Sequence, residues 1–145
     1  MSTAQRLAVI ELLRARPFPA EPGPSEVGAS GPGYHLAELA RSEGFWDDDG
    51  TRRVEDADQY GAEHTALTEL LTGRYGEPHR LSLWSLQVRA GEGEEIPQPW
   101  RELSDGLRFL HLWRTGGRWI ALGLTEDEGE QPFRLIAAVT ETDPP

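Results

Sequence analysis

The stretch that decides the fold is LRFLHLWRTGGRWIALGLTEDEGEQPFRLIAAVT, residues 107–140. It contains three apolar runs, rich in β-branched and aromatic residues, separated by two turn signals. The first turn signal is Gly116–Gly117, because glycine readily adopts the positive φ that a two-residue hairpin turn requires. The second is the acidic tip 126–130, EDEGE. We therefore predict three antiparallel strands connected as a β-meander.

The glycine turn also predicts which residues of the first two strands face one another. The expected pairs are Thr115–Arg118, Trp113–Ile120, His111–Leu122 and Phe109–Leu124. Arg114 then lies opposite Trp119, which favours a cation–π contact at the sheet margin. Both faces of this ribbon are largely apolar, so we expect neither to face water. One face should pack on helices, and the second needs cover from more chain, a second subunit or a ligand.

The N-terminal part predicts helices and a linker. Residues 1–16 suggest an apolar helix that ends at Pro17, either packed at the domain edge or docking across the body or onto a partner as an arm. Residues 17–33 are rich in proline and glycine, which indicates an irregular linker. A short helix is expected over 34–43. The clearest helix is 56–72, since Tyr60, His64, Leu67 and Leu71 share one stripe.

Residues 80–89, RLSLWSLQVR, predict the first strand, with a change of apolar phase between Leu83 and Trp84. That change indicates a strand buried on both faces or a bulge. The predicted fold is α+β, an antiparallel sheet of about four strands with two or three N-terminal helices packed on one face. The expected division is a helix at 1–16, a linker at 17–33 and an α+β domain at 34–141.

Composition excludes several classes of function. The formal net charge is −11, which disfavours nonspecific nucleic-acid binding. The chain has no cysteine, which excludes disulfides and thiolate chemistry, and its 14 basic residues are all arginine. Without lysine there is no P-loop and no Schiff base. No apolar run approaches a membrane span, and we expect a cytoplasmic protein without cofactors. The lack of lysine and asparagine is typical of a high-GC bacterial genome.

Candidate chemistry rests on the histidines. His111 lies mid-strand on an apolar face, and His64 lies on the inner stripe of helix 56–72. If that helix covers that face, both imidazoles converge near Tyr60 in a ligand-binding or acid–base site. The alternative is that they are satisfied core residues. No histidine has zinc-hydrolase spacing, and Asp47, Asp48 and Asp49 lack calcium-loop spacing, so we predict no metal.

Five tryptophans are many for this length, and tryptophan is favoured at interfaces. We expect Trp84 and Trp113 in the core. Trp100 and Trp119 are predicted to face the surface and to mark a partner patch with Arg114 and Arg118. Ordinary burial is the alternative.

The order of helices followed by a meander loosely resembles small secretion-chaperone-like and bacterial immunity-type domains. That resemblance lies at the level of architecture. We predict a noncatalytic protein-interaction module of bacterial type, regulatory, chaperone-like or immunity-like. It would bind a protein partner or a second copy of itself through its apolar sheet face and acidic loops. The alternative is a small-ligand-binding protein or enzyme with a pocket between helix 56–72 and the sheet. Neither nucleic acid nor a membrane is an expected partner.

Overall fold

The computed structural model describes residues 1–125 and 131–145. In these residues seven antiparallel strands form one sheet, in the order β1-β2-β3-β7-β6-β5-β4. The strands are β1 (Gly23–Ser25), β2 (Gly28–Gly31), β3 (Tyr34–Arg41), β4 (His79–Ser82), β5 (Phe109–Thr115), β6 (Arg118–Leu124) and β7 (Arg134–Thr140). The helices are α1 (Thr3–Ala15), α2 (Thr51–Tyr75), α3 (Trp84–Gly91) and α4 (Trp100–Leu103). The α+β class is confirmed, whereas the prediction of about four strands is wrong.

The meander is confirmed as β5, β6 and β7. Its first hairpin has the predicted pairs Thr115–Arg118, Trp113–Ile120 and His111–Leu122. The turn works as predicted, because Gly116 (φ 56°) and Gly117 (φ 79°) both adopt positive φ. The fourth predicted pair, Phe109–Leu124, does not form, because the pairing of β5 with β6 ends at His111–Leu122. The predicted acidic tip, 126–130, lies outside the described residues.

The proline- and glycine-rich segment supplies strands that the sequence did not predict. An irregular linker at 17–33 and a helix at 34–43 were both expected, but β1, β2 and β3 form an antiparallel ribbon there. Pro32–Gly33 is the turn between β2 and β3, and Gly33 has φ 84°, as the third position of a type II turn requires. β3 then pairs with β7, so this ribbon extends the meander.

The segment predicted as a strand at 80–89 changes structure halfway. β4 ends at Ser82 and α3 begins at Trp84. Leu83 and Leu86, three residues apart, are buried, whereas Trp84 and Val88, four residues apart, are exposed. Those spacings are helical. The change of apolar phase therefore marks a strand-to-helix transition and not a bulge.

Helices cover both faces of the sheet, which corrects the prediction of helices on one face. α1 and α2 cover the first face through a cluster that includes Leu7, Ile10, Leu13, Leu67, Leu71, Trp113, Ile120 and Val139. The second face is covered by α3, α4 and the segment between them, through Leu83, Leu86, Ile96, Trp100, Leu103, Leu110, Leu112 and Ala138. Burying each of these large side chains contributes about 1.5–3 kcal/mol. The second apolar face is thus covered by the chain itself.

α1 packs on its own chain and is not extended as an arm in this structure. A capping box starts the helix: Gln5 N–H donates to Ser2 Oγ (3.1 Å), and Ser2 N–H donates to Gln5 Oε1 (2.7 Å). Leu7, Ile10 and Leu13 are buried against α2, β6 and β7. Across the described parts of the chain, none of the helices combines the length and hydropathy that a bilayer crossing requires.

Candidate functional site

The structure brings together two of the three predicted ligand-binding residues. His64 projects from α2 and His111 from β5, and their ring centroids lie 5.3 Å apart. His64 Nε2 and His111 Nδ1 are buried and accept or donate no hydrogen bond within the described residues. Phe109 and Trp113 flank the His111 ring at centroid distances of 5.5 and 6.2 Å. The predicted convergence of the two imidazoles therefore exists in the fold.

Burial keeps both rings in the neutral form. It lowers the pKa of His64 from its usual 6.5 to about 4, and repulsion from His111 adds to the effect. The pKa of His111 is also lowered, first by burial and then by the positive charge of Arg80. The Arg80 guanidinium carbon lies 4.0 Å from the centre of the Phe109 ring. This pair is consequently an uncharged, aromatic contact between α2 and the sheet at neutral pH.

Tyr60, the third predicted residue, lies one turn before His64 but serves a different contact. Its ring stacks on Phe133 at a centroid distance of 6.0 Å. Beside it lies a cavity of about 50 Å³, lined also by Arg6, Gln59 and Glu63, which has room for a water molecule or two. Neither histidine lines any of four well-formed cavities on the described residues. The three residues therefore do not share a ligand-sized pocket.

The predicted interface residues do not form one patch. Trp100 is fully buried (0% exposed), and its indole N–H donates to the Thr142 carbonyl at 3.2 Å. Trp84, predicted to be core, is 68% exposed. The prediction for these two tryptophans is therefore wrong. Trp84 begins α3 and faces solvent, whereas Trp100 begins α4 and faces the core. Trp113 is buried, as predicted.

Arg114 and Trp119 do pair at the sheet margin, as predicted. The Arg114 guanidinium carbon lies 5.0 Å from the Trp119 ring centre. Both side chains also donate to Asp143 Oδ1 at 2.9 Å, and these two bonds lower the pKa of that carboxyl group. Arg118 has a different role, since its Nη1 donates to the carbonyls of Leu13 (3.1 Å) and Arg16 (2.7 Å) at the end of α1.

A cleft around Trp46 was missed by sequence reasoning. It has a volume of about 530 Å³ and is lined by Glu43, Gly44, Trp46, Asp47, Asp48 and Arg52. Trp46 is 67% exposed, whereas its neighbour Phe45 is buried against Phe133 at a centroid distance of 5.6 Å. Phe45 anchors the loop, whereas the Trp46 ring lies against Gly44 and is otherwise exposed to solvent.

Some charged side chains of this cleft already form ion pairs or hydrogen bonds within the protein, and others do not. Arg52 pairs with Glu43 (3.0 Å), donates to the Gly44 carbonyl and lies over the Phe45 ring. Asp48 accepts from the backbone N–H groups of Arg52 (3.2 Å) and Arg53 (2.9 Å) and so caps α2. Asp47 is exposed, and its carboxylate has no hydrogen bond or ion pair within residues 1–125 and 131–145. It remains available to a partner.

The first turns of α2, outside the cleft lining, carry further exposed acidic and apolar side chains. Glu55 and Asp58 are exposed and lie one turn apart on the helix. Val54 beside them is 64% exposed. We call Trp46, Asp47, Val54, Glu55 and Asp58 the acidic–aromatic patch. Among the described residues, no group of three or more ligating side chains is arranged to hold a metal ion.

A second unpredicted arrangement joins Ser30 and His35. Ser30 Oγ lies 2.6 Å from His35 Nδ1, and His35 Nε2 lies 3.2 Å from the Arg16 carbonyl. The Phe18 ring packs on the imidazole at 4.9 Å, and burial is the main cause that lowers the His35 pKa. Ser30 and His35 are direct cross-strand partners. The signal that predicts this pair is the Pro32–Gly33 turn, which brings residues 30 and 35 face to face.

Three comparisons with known proteins give no family for the chain. No protein family model matches the sequence, and no curated protein or solved structure matches it.

Proposed function

We propose that this protein is a noncatalytic binding module that recognises a basic segment of a protein partner at the acidic–aromatic patch. The observation that carries the proposal is Trp46, a large aromatic side chain two-thirds exposed at the edge of an open, carboxylate-lined cleft. Exposed tryptophan is costly in water and is enriched where proteins bind one another. Phe45 anchors the loop on Phe133, while the Trp46 ring lies against Gly44 and still leaves two-thirds of its surface exposed.

The surface we first expected to bind a partner is not available. Both apolar faces of the sheet are covered by helices of the same chain. Binding through the acidic loops is the part of the expected function that this architecture still supports. The convergence of His64 and His111 supports a ligand site less well, because neither residue lines a ligand-sized cavity among those described above.

Charge identifies the kind of partner. The chain carries a net charge of −11, Asp47 lines the cleft together with Trp46, and Glu55 and Asp58 are exposed on the first turns of α2. Arginine and lysine side chains pair with carboxylates and also lie over tryptophan faces, so a basic segment satisfies both features together. The same charge steers a basic partner toward the protein and disfavours nucleic acid. We place this interaction in the cytoplasm, where a chain without cysteine loses nothing to the reducing conditions.

The test uses two peptides that differ only in charge and two tryptophans that match in exposure. A short arginine-rich peptide and its glutamate counterpart are titrated into ¹⁵N-labelled protein, and the indole N–H signals are followed. We expect the basic peptide alone to shift the Trp46 signal, with an affinity that falls as salt rises. Trp46→Ala should abolish binding, whereas Trp84→Ala should not. Equal shifts at Trp46 and Trp84, or binding of the acidic peptide, would overturn the proposal.

The partner itself can then be sought with the same variants. Wild-type protein, Trp46→Ala and Trp84→Ala serve as baits for affinity capture from the source cells. A partner of the proposed kind is retained by wild type and Trp84→Ala, is lost with Trp46→Ala, and carries a cluster of basic residues at the cross-linked site. A partner retained equally by all three baits contradicts the role of the patch.

A further inference from the structure

A cavity lies over one part of the second sheet face, beside α4. It has a volume of about 350 Å³ and is lined by Gly28, Ala29, Leu36, Ala37, Glu38, Glu102, Leu103, Asp105, Arg134 and Ile136. These residues come from β2, β3 and β7 on one side and from α4 and the turn after it on the other. A volume of about 300–1,000 Å³ is usual for small-molecule sites. The cavity is therefore large enough for a small organic ligand.

The floor of the cavity is apolar and belongs to the sheet. Leu36 and Ile136 lie on the second face, in register positions that pair with Ala29 and Glu38. Leu103 of α4 closes one side. Elsewhere on this face the same kind of apolar side chains are covered by Trp100, Leu107 and α3. A ligand with an apolar body would cover the apolar side chains of β2, β3 and β7 in the same way.

The polar lining is predominantly negative. Glu38 Oε2 accepts from Arg134 Nε at 2.9 Å, and Glu38 Oε1 accepts from Arg41 at 2.7 Å. These hydrogen bonds, led by that from Arg41, lower the pKa of the Glu38 carboxyl group and keep it ionised.

At the rim, Asp105 pairs with Arg101 at 3.0 Å. Glu102 has no ion-pair or hydrogen-bond partner for its carboxylate in the described parts of the chain. Three carboxylates and one guanidinium therefore line the cavity, and one carboxylate is unengaged.

We propose that this cavity binds a small organic cation, an amine or guanidine attached to an apolar group. The apolar group lies on Leu36, Leu103 and Ile136, and the cationic group pairs with Glu102 at the rim. An anionic ligand of the same size would meet the unengaged Glu102 carboxylate and would be repelled. This site shares no residue with the acidic–aromatic patch, so it stands or falls independently of the proposed function.

The experiment compares two probes of nearly equal size and opposite charge, 3-phenylpropylamine and 3-phenylpropanoate. Each is titrated into ¹⁵N-labelled full-length protein. We expect the amine to shift the backbone amide signals of Gly28, Ala29 and Leu103, and the carboxylate to leave them unchanged. No shift with the amine, or equal shifts with both probes, would overturn the proposal.

Three variants test whether the amine binds in this cavity. One fills the cavity, and two remove the same negative charge inside and outside it. Ala29→Phe should fill the cavity and abolish the amine-induced shifts, since Ala29 shares the face of Leu36. Glu102→Gln should weaken amine binding by roughly fivefold, the effect of one partly exposed carboxylate. Glu92→Gln removes the same charge from the end of α3, away from the cavity lining, and should leave the affinity unchanged. Equal effects of the two glutamate variants would show a nonspecific charge effect and contradict the site.

Discussion

His64 and His111 meet with ring centroids 5.3 Å apart, and each buries one nitrogen that has no hydrogen-bond partner in the described residues. An unsatisfied buried polar atom costs about 1–3 kcal/mol. Protonating either ring would add a buried charge next to Arg80 or next to the other imidazole. The contact between α2 and β5 is therefore stable only while both rings stay neutral.

This contact predicts that acid weakens the fold. The pKa of His64 is about 4 in the folded chain and about 6.5 when unfolded, so the unfolded chain binds more protons between those values. The stability that comes from neutral His64 is fully present above about pH 6.5 and is lost as the pH falls toward 4. We expect the free energy of unfolding by urea to fall between pH 7 and pH 5. The slope is at most about 1.4 kcal/mol per pH unit for each such proton, and less where solvent reaches the ring.

The histidine variants separate this effect from general acid denaturation. His64→Leu removes both the titrating group and the unsatisfied nitrogen, so it should be more stable than wild type at pH 5 by a larger margin than at pH 7. His79→Leu replaces an exposed histidine outside this contact and serves as the matched control. An unchanged slope in His64→Leu would refute the assignment.

Ser30 and Ser25 provide a matched test of the hydrogen-bond network around His35. Ser30→Ala leaves the buried His35 Nδ1 without its partner and should destabilise the protein by about 1–3 kcal/mol. Ser25 Oγ is buried and makes no hydrogen bond to any residue that the structure describes, so Ser25→Ala should change stability by no more than about 0.5 kcal/mol or increase it. Urea denaturation at pH 7.5 measures both. Equal losses would show that the Ser30–His35 bond contributes nothing to the fold.

The sequence predicted most reliably where local turn chemistry and apolar alternation agree. Gly116–Gly117 set the turn and the register of β5 and β6, and the Arg114–Trp119 contact follows from that register. The contact between His64 and His111 was also predicted. Apolar spacing identifies the buried side of the helix that carries His64 and the buried face of the strand that carries His111. These are properties of short segments.

Other elements depend on contacts that are distant in the sequence. Residues 34–43 have leucines at helical spacing, but pairing of β3 with β2 and β7 makes this segment a strand buried on both faces. Strands buried on both faces lose the alternating pattern that identifies strands. The cavity beside Glu38 combines residues from β2, β3, β7 and α4, so no single stretch of sequence indicates it. The Trp46 cleft lies within residues 43–52, but the loop is held by packing of Phe45 on Phe133, which is distant in the sequence.

Trp100 and Trp84 should respond oppositely to truncation. Trp100→Ala removes a fully buried side chain and its hydrogen bond to the Thr142 carbonyl, and should cost about 3–5 kcal/mol. Trp84→Ala removes a side chain that is 68% exposed, so the change should stay within about 0.5 kcal/mol. Guanidinium denaturation of each variant checks the difference. The reverse order would restore the sequence-based prediction that Trp84 is core.

Arg118 and Arg114 distinguish a residue that holds α1 on the sheet from one that pairs at the surface. Arg118 Nη1 donates to the Leu13 and Arg16 carbonyls, and its guanidinium lies 4.0 Å from the Phe18 ring centre. A hydrogen bond from a charged group to such carbonyls contributes about 1.5–3 kcal/mol.

Arg118→Met keeps much of the apolar stem but removes both bonds, so the end of α1 should open more often. We expect faster amide hydrogen exchange over residues 10–18 and a loss of about 2 kcal/mol of stability. Arg114→Met removes an exposed pair with Asp143 and should cost no more than about 1 kcal/mol, with exchange in α1 unchanged. If Arg118→Met leaves exchange over residues 10–18 at the wild-type rate, the packing of α1 does not depend on this contact.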